Sequence, residues 1–397
     1  MGRIDKSRIL CMIITIWSFA TKIKWHYVTI LHSEYCPLCT DDNSILLISE
    51  DGGFLVRIAS PSRAPDWRNL AEVLERRVPA RPTLFEFFLN ERLYTALSGM
   101  PPQSEELGCW VRIVRAFENA GYDYAMLMSP WTFPLTHGKA DKSTVSLNQG
   151  DAIGSRADFD RYPWPDYGAR DFGFLDELLP LMPQGMKLIM CGPDGVLETA
   201  IALMGYERMC EMLYDDQGLV EDVFAKVGEA YLSFHRKAAD HPAVMAVVSS
   251  DDWGFNTQTL ISPAHLRKLV FPWHREVCAL AHRLGKHAIL HSCGALDGVW
   301  EDIVAMGFDG RHSYEDNILP VERAYELQHS RIAVLGGIDL GFLVRQSEEE
   351  IALRCRQLLR QTAAGGGYAL GSGNSIPDYV PDGHYYAMLR ACFAFDG

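Results

Sequence analysis

The chain has 397 residues, of which 48% are hydrophobic and 22% charged, the balance of a soluble protein that buries a large core. A net charge of -14 without any long Lys/Arg run excludes nucleic acid as an expected partner. Ten cysteines are too few for a disulfide scaffold, and residues such as Cys210, Cys278 and Cys355 sit singly in apolar segments, which fits reduced thiols in a cytoplasm.

The first segment differs from the rest. Ile9 to Ala20 is apolar and follows Arg3, Lys6 and Arg8, a superficial likeness to a signal peptide. It is shorter than the roughly 20 residues a membrane span needs, and no small-x-small cleavage site follows it. No membrane association is expected. Cys36-Pro-Leu-Cys39 has no second cysteine pair nearby and reads as incidental. Residues 1–64 are read as an extension of uncertain order, such as an upstream start codon adds, and residues 65–397 as one domain.

From Pro65 onward, strand-like and helix-like segments alternate. Pro82 to Phe88 predicts a strand, then Glu91 to Leu97 and Glu105 to Ala120 predict helices before a strand at Tyr122 to Met128. A helix near Phe174 to Met182 precedes the strand Lys187 to Cys191. Helices at Leu197 to Leu213 and Leu219 to Ala239 lead to the strand Ala243 to Ser249. Ser262-Pro263 is an N-cap with proline in the first turn, opening a helix to about Leu284. Then come a strand at Ala288 to Leu290, a helix near Val299 to Met306 and a strand at Phe308 to Tyr314. Helix Val321 to Gln328, strand Ile332 to Leu335 and helix Ser347 to Thr362 follow. Gly365-Gly-Gly367 leads into Tyr368 to Leu370, and a last helix begins after Asp382. Eight strands, each followed by helix, predict a closed (β/α)8 TIM barrel. An open doubly wound sheet is the alternative, but no Gly-x-Gly-x-x-Gly follows the first strand.

In such a barrel the chemistry gathers at the carboxyl ends of the strands. Glu86 lies in the first, Asp251-Asp252-Trp253 end the fourth, and His291-Ser292-Cys293 end the fifth. His312 to Glu315 end the sixth, Asp339 the seventh, and Gly371-Ser372-Gly373-Asn374 the eighth. His291 and Cys293, two residues apart at a strand end, point to one side, and imidazole and thiolate are ligands zinc prefers. Carboxylates collected at one mouth repel each other unless a cation or protons intervene. Asp339 serves equally well as a helix N-cap. Phe87, Trp131, Trp164, Trp253 and Tyr314 are aromatic residues available near the mouth, each also explicable as ordinary packing.

Asp251-Asp-Trp-Gly254 with Ile261-Ser-Pro263, His291-Ser-Cys-Gly294, Leu335-Gly-Gly-Ile-Asp339 and Gly365 to Gly373 followed by Ile376-Pro377 together carry a resemblance. From about Asp66 to its end the chain resembles the uroporphyrinogen decarboxylase superfamily, of (β/α)8 fold. Its true decarboxylases carry an arginine-containing motif after the first strand to grip an octa-acid substrate. Here that place reads Leu84-Phe-Glu-Phe-Phe-Leu-Asn-Glu-Arg92, with Glu86 and no arginine pair, which argues against that activity. The resemblance is closer to the corrinoid-dependent methyltransferases, in which a His-x-Cys and a later cysteine bind zinc. His291 and Cys293 match the first two ligands, while Ser372 stands where those proteins have the third.

A carboxylate can take that third place, Glu315 first, with Asp252 or Glu86 as substitutes; otherwise the metal has been lost and His291 with the acids binds an organic substrate directly. The resemblance implies methyl transfer between a small-molecule donor or thiol and cobalamin-type corrinoid on a separate carrier protein. Glu86, Asp252, Glu315 and Asp339 are the expected catalytic acids. Trp253, Tyr314, Ser372 and Asn374 are the expected cofactor-binding residues, and Zn2+ on His291, Cys293 and Glu315 the expected metal site. A cofactor-free decarboxylase of a porphyrinogen or smaller acid, and a non-catalytic binding barrel, are the other two classes.

Overall fold

The computed structural model describes residues 63–135, 147–148 and 152–395, together with the backbone of four strands in the first sixty residues. Those four are β1 (Ile13–Trp17), β2 (Lys24–Val28), β3 (Ile45–Ser49) and β4 (Phe54–Arg57), an antiparallel sheet in chain order. Cys36 and Cys39 lie outside the described residues, as does most of the apolar run at Ile9 to Ala20.

The remaining strands are β5 (Tyr124–Met128), β6 (Lys187–Cys191), β7 (Val244–Ser250), β8 (His287–His291), β9 (Gly310–His312), β10 (Ala333–Leu335) and β11 (Tyr368–Ala369). They form one parallel sheet in sequential order, as strand–helix–strand units require. Their centres, such as Leu188-Ile-Met190 and Val247-Val248, are buried without alternation, the pattern of strands covered on both faces. Register sets Ser250 beside His291, and His291 beside His312. Three neighbouring strands therefore deliver polar residues to one level at the carboxyl edge.

The segment expected as a first strand behaves differently. Leu84 makes an isolated parallel bridge to Leu370, with Phe85 N–H donating to the Leu370 carbonyl at 2.8 Å. Towards β5 it has no ladder; Tyr124 Oη both accepts from the Glu86 N–H and donates to the Glu86 carbonyl, each at 2.7 Å. Because β11 and β5 both reach this segment, the seven-stranded sheet curls round until its two edges face it. One buried tyrosine thus replaces the missing strand pairing, which is why the strand-like composition of Pro82 to Phe88 overstates the strand.

Two helices read as continuous are interrupted. Gly205, at φ 79°, separates Val196–Met204 from Tyr206–Asp215. The helix opened by Ser262, whose hydroxyl accepts from His265 N–H, passes through a π-helical stretch at Leu266–Val270 before Phe271–Arg283. Pro272 has no N–H to give, so the ladder shifts there. No helix among the described residues is long and apolar enough to cross a membrane.

Candidate metal centre

The adjacent acids at the end of β7 diverge. Asp251 is fully buried, and its carboxylate accepts from the N–H groups of Leu197 (2.9 Å) and Glu198 (3.0 Å), capping the helix Val196–Met204 from fifty residues away. Gly195 makes that approach possible, since a Cβ there would lie 2.2 Å from Asp251 Oδ1. Asp251 Oδ2 also lies 3.0 Å from His274 Nε2, while Ser249 Oγ holds His274 Nδ1 at 2.7 Å. Asp251 is therefore structural.

Asp252 points to the mouth instead. Its Oδ1 accepts from the Cys293 N–H at 2.8 Å. Ligand atoms of Asp252, His291 and Cys293 all lie within 4.8 Å of one another, the one such group of three among the described residues. His291 Nε2 is 4.0 Å from Cys293 Sγ. A nitrogen and a sulfur bonded to one zinc ion at ~2.1 and ~2.3 Å in tetrahedral geometry would be ~3.6 Å apart. The observed spacing is within a small side-chain adjustment of that value.

The sulfur has company. Ser313 Oγ at 3.4 Å and Asn374 Nδ2 at 3.3 Å both donate towards it. Burial and the Asp252 charge nevertheless push the Cys293 thiol up, and burial, with the Asp251 charge, raises Asp252 as well. Burial and the positive Arg311 nearby hold His291 down at about 3, so its ring is neutral. A neutral imidazole beside two acids that resist ionisation is an environment a divalent cation would relieve, by exchanging for their protons. Phe87 stacks on His291, ring centroids 4.1 Å apart and 14° between planes, and fixes its plane.

Several expected site residues lie elsewhere. Glu315 is not within the group of three; it is half-buried on the wall of an adjoining cleft of about 530 Å3, with Tyr314, Asp339, Phe342, Arg345 and Asn374. Burial and the charges of Asp339 and Asp252 push its carboxyl up. Asp339 caps the helix Leu340–Arg345 by accepting from Phe342 N–H at 3.0 Å, and also accepts from Asp316 N–H. Ser372 is committed to Glu86: its hydroxyl donates to Oε1 at 2.7 Å and its N–H to Oε2 at 3.2 Å. Glu86 is thus occupied in the interior rather than at the metal centre. Trp253 is wholly buried against Phe271 and His274. Trp131 packs on Phe172 and Trp164 on Tyr162. Tyr314 lines the cleft but commits its hydroxyl to Gln328 Oε1 at 2.9 Å. Asn374 lines the cleft and touches Cys293 Sγ.

Sequence reasoning missed three residues. Ser313 and His312 follow the strand-end rule and were legible as positions, without a role. Glu198 gave no signal, being one acid on an amphipathic helix. It accepts a hydrogen bond from the Asp252 backbone, and burial, then the Asp252 and Asp251 charges, hold its carboxyl well up.

The family described as uroporphyrinogen decarboxylase (URO-D) matches residues 174–395, more than half of the chain, including Asp252, His291 and Cys293. The chain belongs to the URO-D family. No curated protein matches its sequence. Among solved structures, a methyltransferase from Methanosarcina mazei is similar at TM-score 0.58 and 15% identity, over 82% of this chain and 97% of that one. That likeness places the URO-D chain in the same fold. Looser likenesses are a xylose isomerase-like TIM barrel protein from Mycobacterium smegmatis (TM-score 0.34, 11% identity, 79% of this chain, 97% of that) and a β-1,4-D-mannanase from Cryptopygus antarcticus (0.41, 11%, 79% and 91%).

Proposed function

We propose that this URO-D family member is a zinc-dependent methyltransferase of (β/α)8 architecture. The metal ligands are Asp252, His291 and Cys293, and the methyl group passes between a small-molecule donor or thiol and a corrinoid on a separate carrier protein. The observation that carries the reading is the group of three ligand atoms within 4.8 Å. Carboxylate, imidazole and thiolate are each zinc ligands, and three protein ligands leave a fourth position open. When bound, zinc would supply Lewis acidity to a thiol or to the heteroatom of a methyl donor. The chain's own residues do the rest: Ser313 and Asn374 donate to the sulfur, Phe87 orients the imidazole, and Cys293 N–H aims the carboxylate. The cleft beside Asn374 is the proposed substrate entry, and the cell's cytoplasm the proposed location.

Asp252, not Glu315, is the third ligand in this reading. A porphyrinogen decarboxylase is the weaker alternative, because the cleft wall brings Glu315, Asp316 and Asp339 against one arginine, Arg345. An octa-acid substrate needs the opposite balance of charge.

The test is metal analysis of the purified protein followed by chelator competition. Stoichiometric zinc in the wild type, lost in Cys293→Ala and weakened at least tenfold in Asp252→Asn, is expected. A wild type that binds no zinc, or a Cys293→Ala variant that keeps it, overturns the proposal. Transfer is then measured by the visible spectrum of free methylcobalamin incubated with the protein and a thiol.

A further inference from the structure

We propose that His312 is a positioning residue that fixes the tautomer of His291, so that Nδ1 carries the hydrogen and Nε2 presents a bare lone pair towards Cys293 and Asp252. It rests on the zinc reading for what that lone pair binds, but not for the tautomer itself.

The reasoning begins at the main-chain carbonyl of Ser372, which can only accept. His312 Nε2 lies 3.2 Å from it, so that nitrogen carries a hydrogen. In a neutral ring the other nitrogen, His312 Nδ1, is then bare. It lies 2.8 Å from His291 Nδ1, and a contact that short between ring nitrogens needs one hydrogen between them. His291 has to supply it. Its Nε2 is left unprotonated, 4.0 Å from the Cys293 sulfur. Both rings are buried, His312 completely, and a second hydrogen on either would leave a buried charge with no anion at any of the contacts just named.

The anchor of this relay is itself held. The Ser372 carbonyl also accepts from Gly337 N–H at 2.8 Å, and the Ser372 N–H and hydroxyl both donate to Glu86. Gly371 brings the turn against the Phe85 carbonyl, where a Cβ would fall 1.6 Å from the oxygen. β8 and β9 pair His291 with His312 directly, so the relay is built into strand register rather than into a loop. A ligand imidazole is commonly oriented by what its far nitrogen donates to, and losing that partner costs about 10–100-fold in metal affinity.

The experiment uses the full-length protein labelled with 15N-histidine, freed of metal by chelation, and read by long-range 1H–15N correlation. Wild-type His291 is expected to be neutral with Nδ1 protonated. Zinc affinity by chelator competition is expected to fall about 10–100-fold in His312→Leu. In His312→Asn, whose Oδ1 keeps an acceptor near the Nδ1 position, the loss should be smaller. A wild-type His291 protonated on Nε2, or a His312→Leu protein that binds zinc as tightly as wild type, overturns the inference. If His312→Leu does not fold, the wild-type spectrum and the Asn variant decide it. The expected tautomer in a protein that binds no zinc would remove the zinc reading and leave this one standing.

Discussion

Glu86 is a carboxyl group at 0% exposure whose hydrogen-bond partners are the Ser372 hydroxyl, the Ser372 N–H and the Phe87 N–H, with no cation acting on it. Burial outweighs those three donors and lifts it from an ordinary 4.5 to about 8. The folded protein therefore holds a proton that the unfolded chain releases above pH 4.5. For such an acid the unfolded state binds fewer protons between the two values, so stability is full at low pH and declines as pH rises towards 8. At about 1.4 kcal/mol per unit, the decline is on the order of 3 kcal/mol by pH 7 and approaches 5 kcal/mol above pH 8. Glu86→Gln keeps an acceptor oxygen and cannot titrate. Urea unfolding of metal-free wild type and variant at pH 5, 6, 7 and 8 isolates the effect in their difference, since other titrating groups are common to both. The variant is expected to gain on the wild type steadily with pH and to be the more stable at pH 8. Parallel stability curves from pH 5 to 8 would refute the reasoning, meaning that Glu86 is ionised in the fold or reached by water.

Three further outcomes follow from the same geometry. Ser372→Cys replaces the hydroxyl that donates to Glu86 and should cost about 1–3 kcal/mol in urea unfolding without raising zinc affinity, because the side chain is directed at Glu86; a gain in affinity would place it at the metal. Asp251→Ala strips the acceptor from two helix N–H groups and from His274, and unfolding should show a loss of roughly 3–5 kcal/mol, where a change under 1 kcal/mol would mean the cap is dispensable. Glu315→Gln should leave zinc affinity unchanged in chelator competition, and a loss matching that of Asp252→Asn would restore Glu315 as a ligand.

The parallel strands β5 to β8 and β10 were legible because each centres on a short apolar run, and burial on both faces demands such runs, whereas β9, Gly310–His312, is not apolar. The first segment was not legible, since its closing bonds come from the Tyr124 hydroxyl, a side-chain contact that no local pattern encodes. Gly205 was visible in the sequence, but that it would take a positive φ and split a helix depends on what the two halves pack against. At the site, strand ends named His291 and Cys293 first and Asp252 only as a substitute, and the structure brings the three together. Strand order says which ends are neighbours. It does not say how far each side chain reaches, and Glu315 stops at the cleft wall while the Cys293 N–H draws Asp252 in.

The departure at Ser372 and the position of Asp252 are two sides of one arrangement. A thiolate at Ser372 would sit beside Glu86, where burial already disfavours one negative charge. A serine there donates a hydrogen bond instead, and in the proposed site the end of β7, four places along the sheet from β11, carries the negative ligand. In the proposed site Asp252 and a Cys293 thiolate would supply two negative charges, which one divalent cation would balance, and neutral His291 would add none. Period-two alternation after β7 makes this possible, sending Asp251 under a helix and Asp252 to the mouth. Either acid alone would leave one task undone: without Asp251 the helix bearing Glu198 loses its cap, and without Asp252 the sulfur and imidazole face an incomplete ligand set.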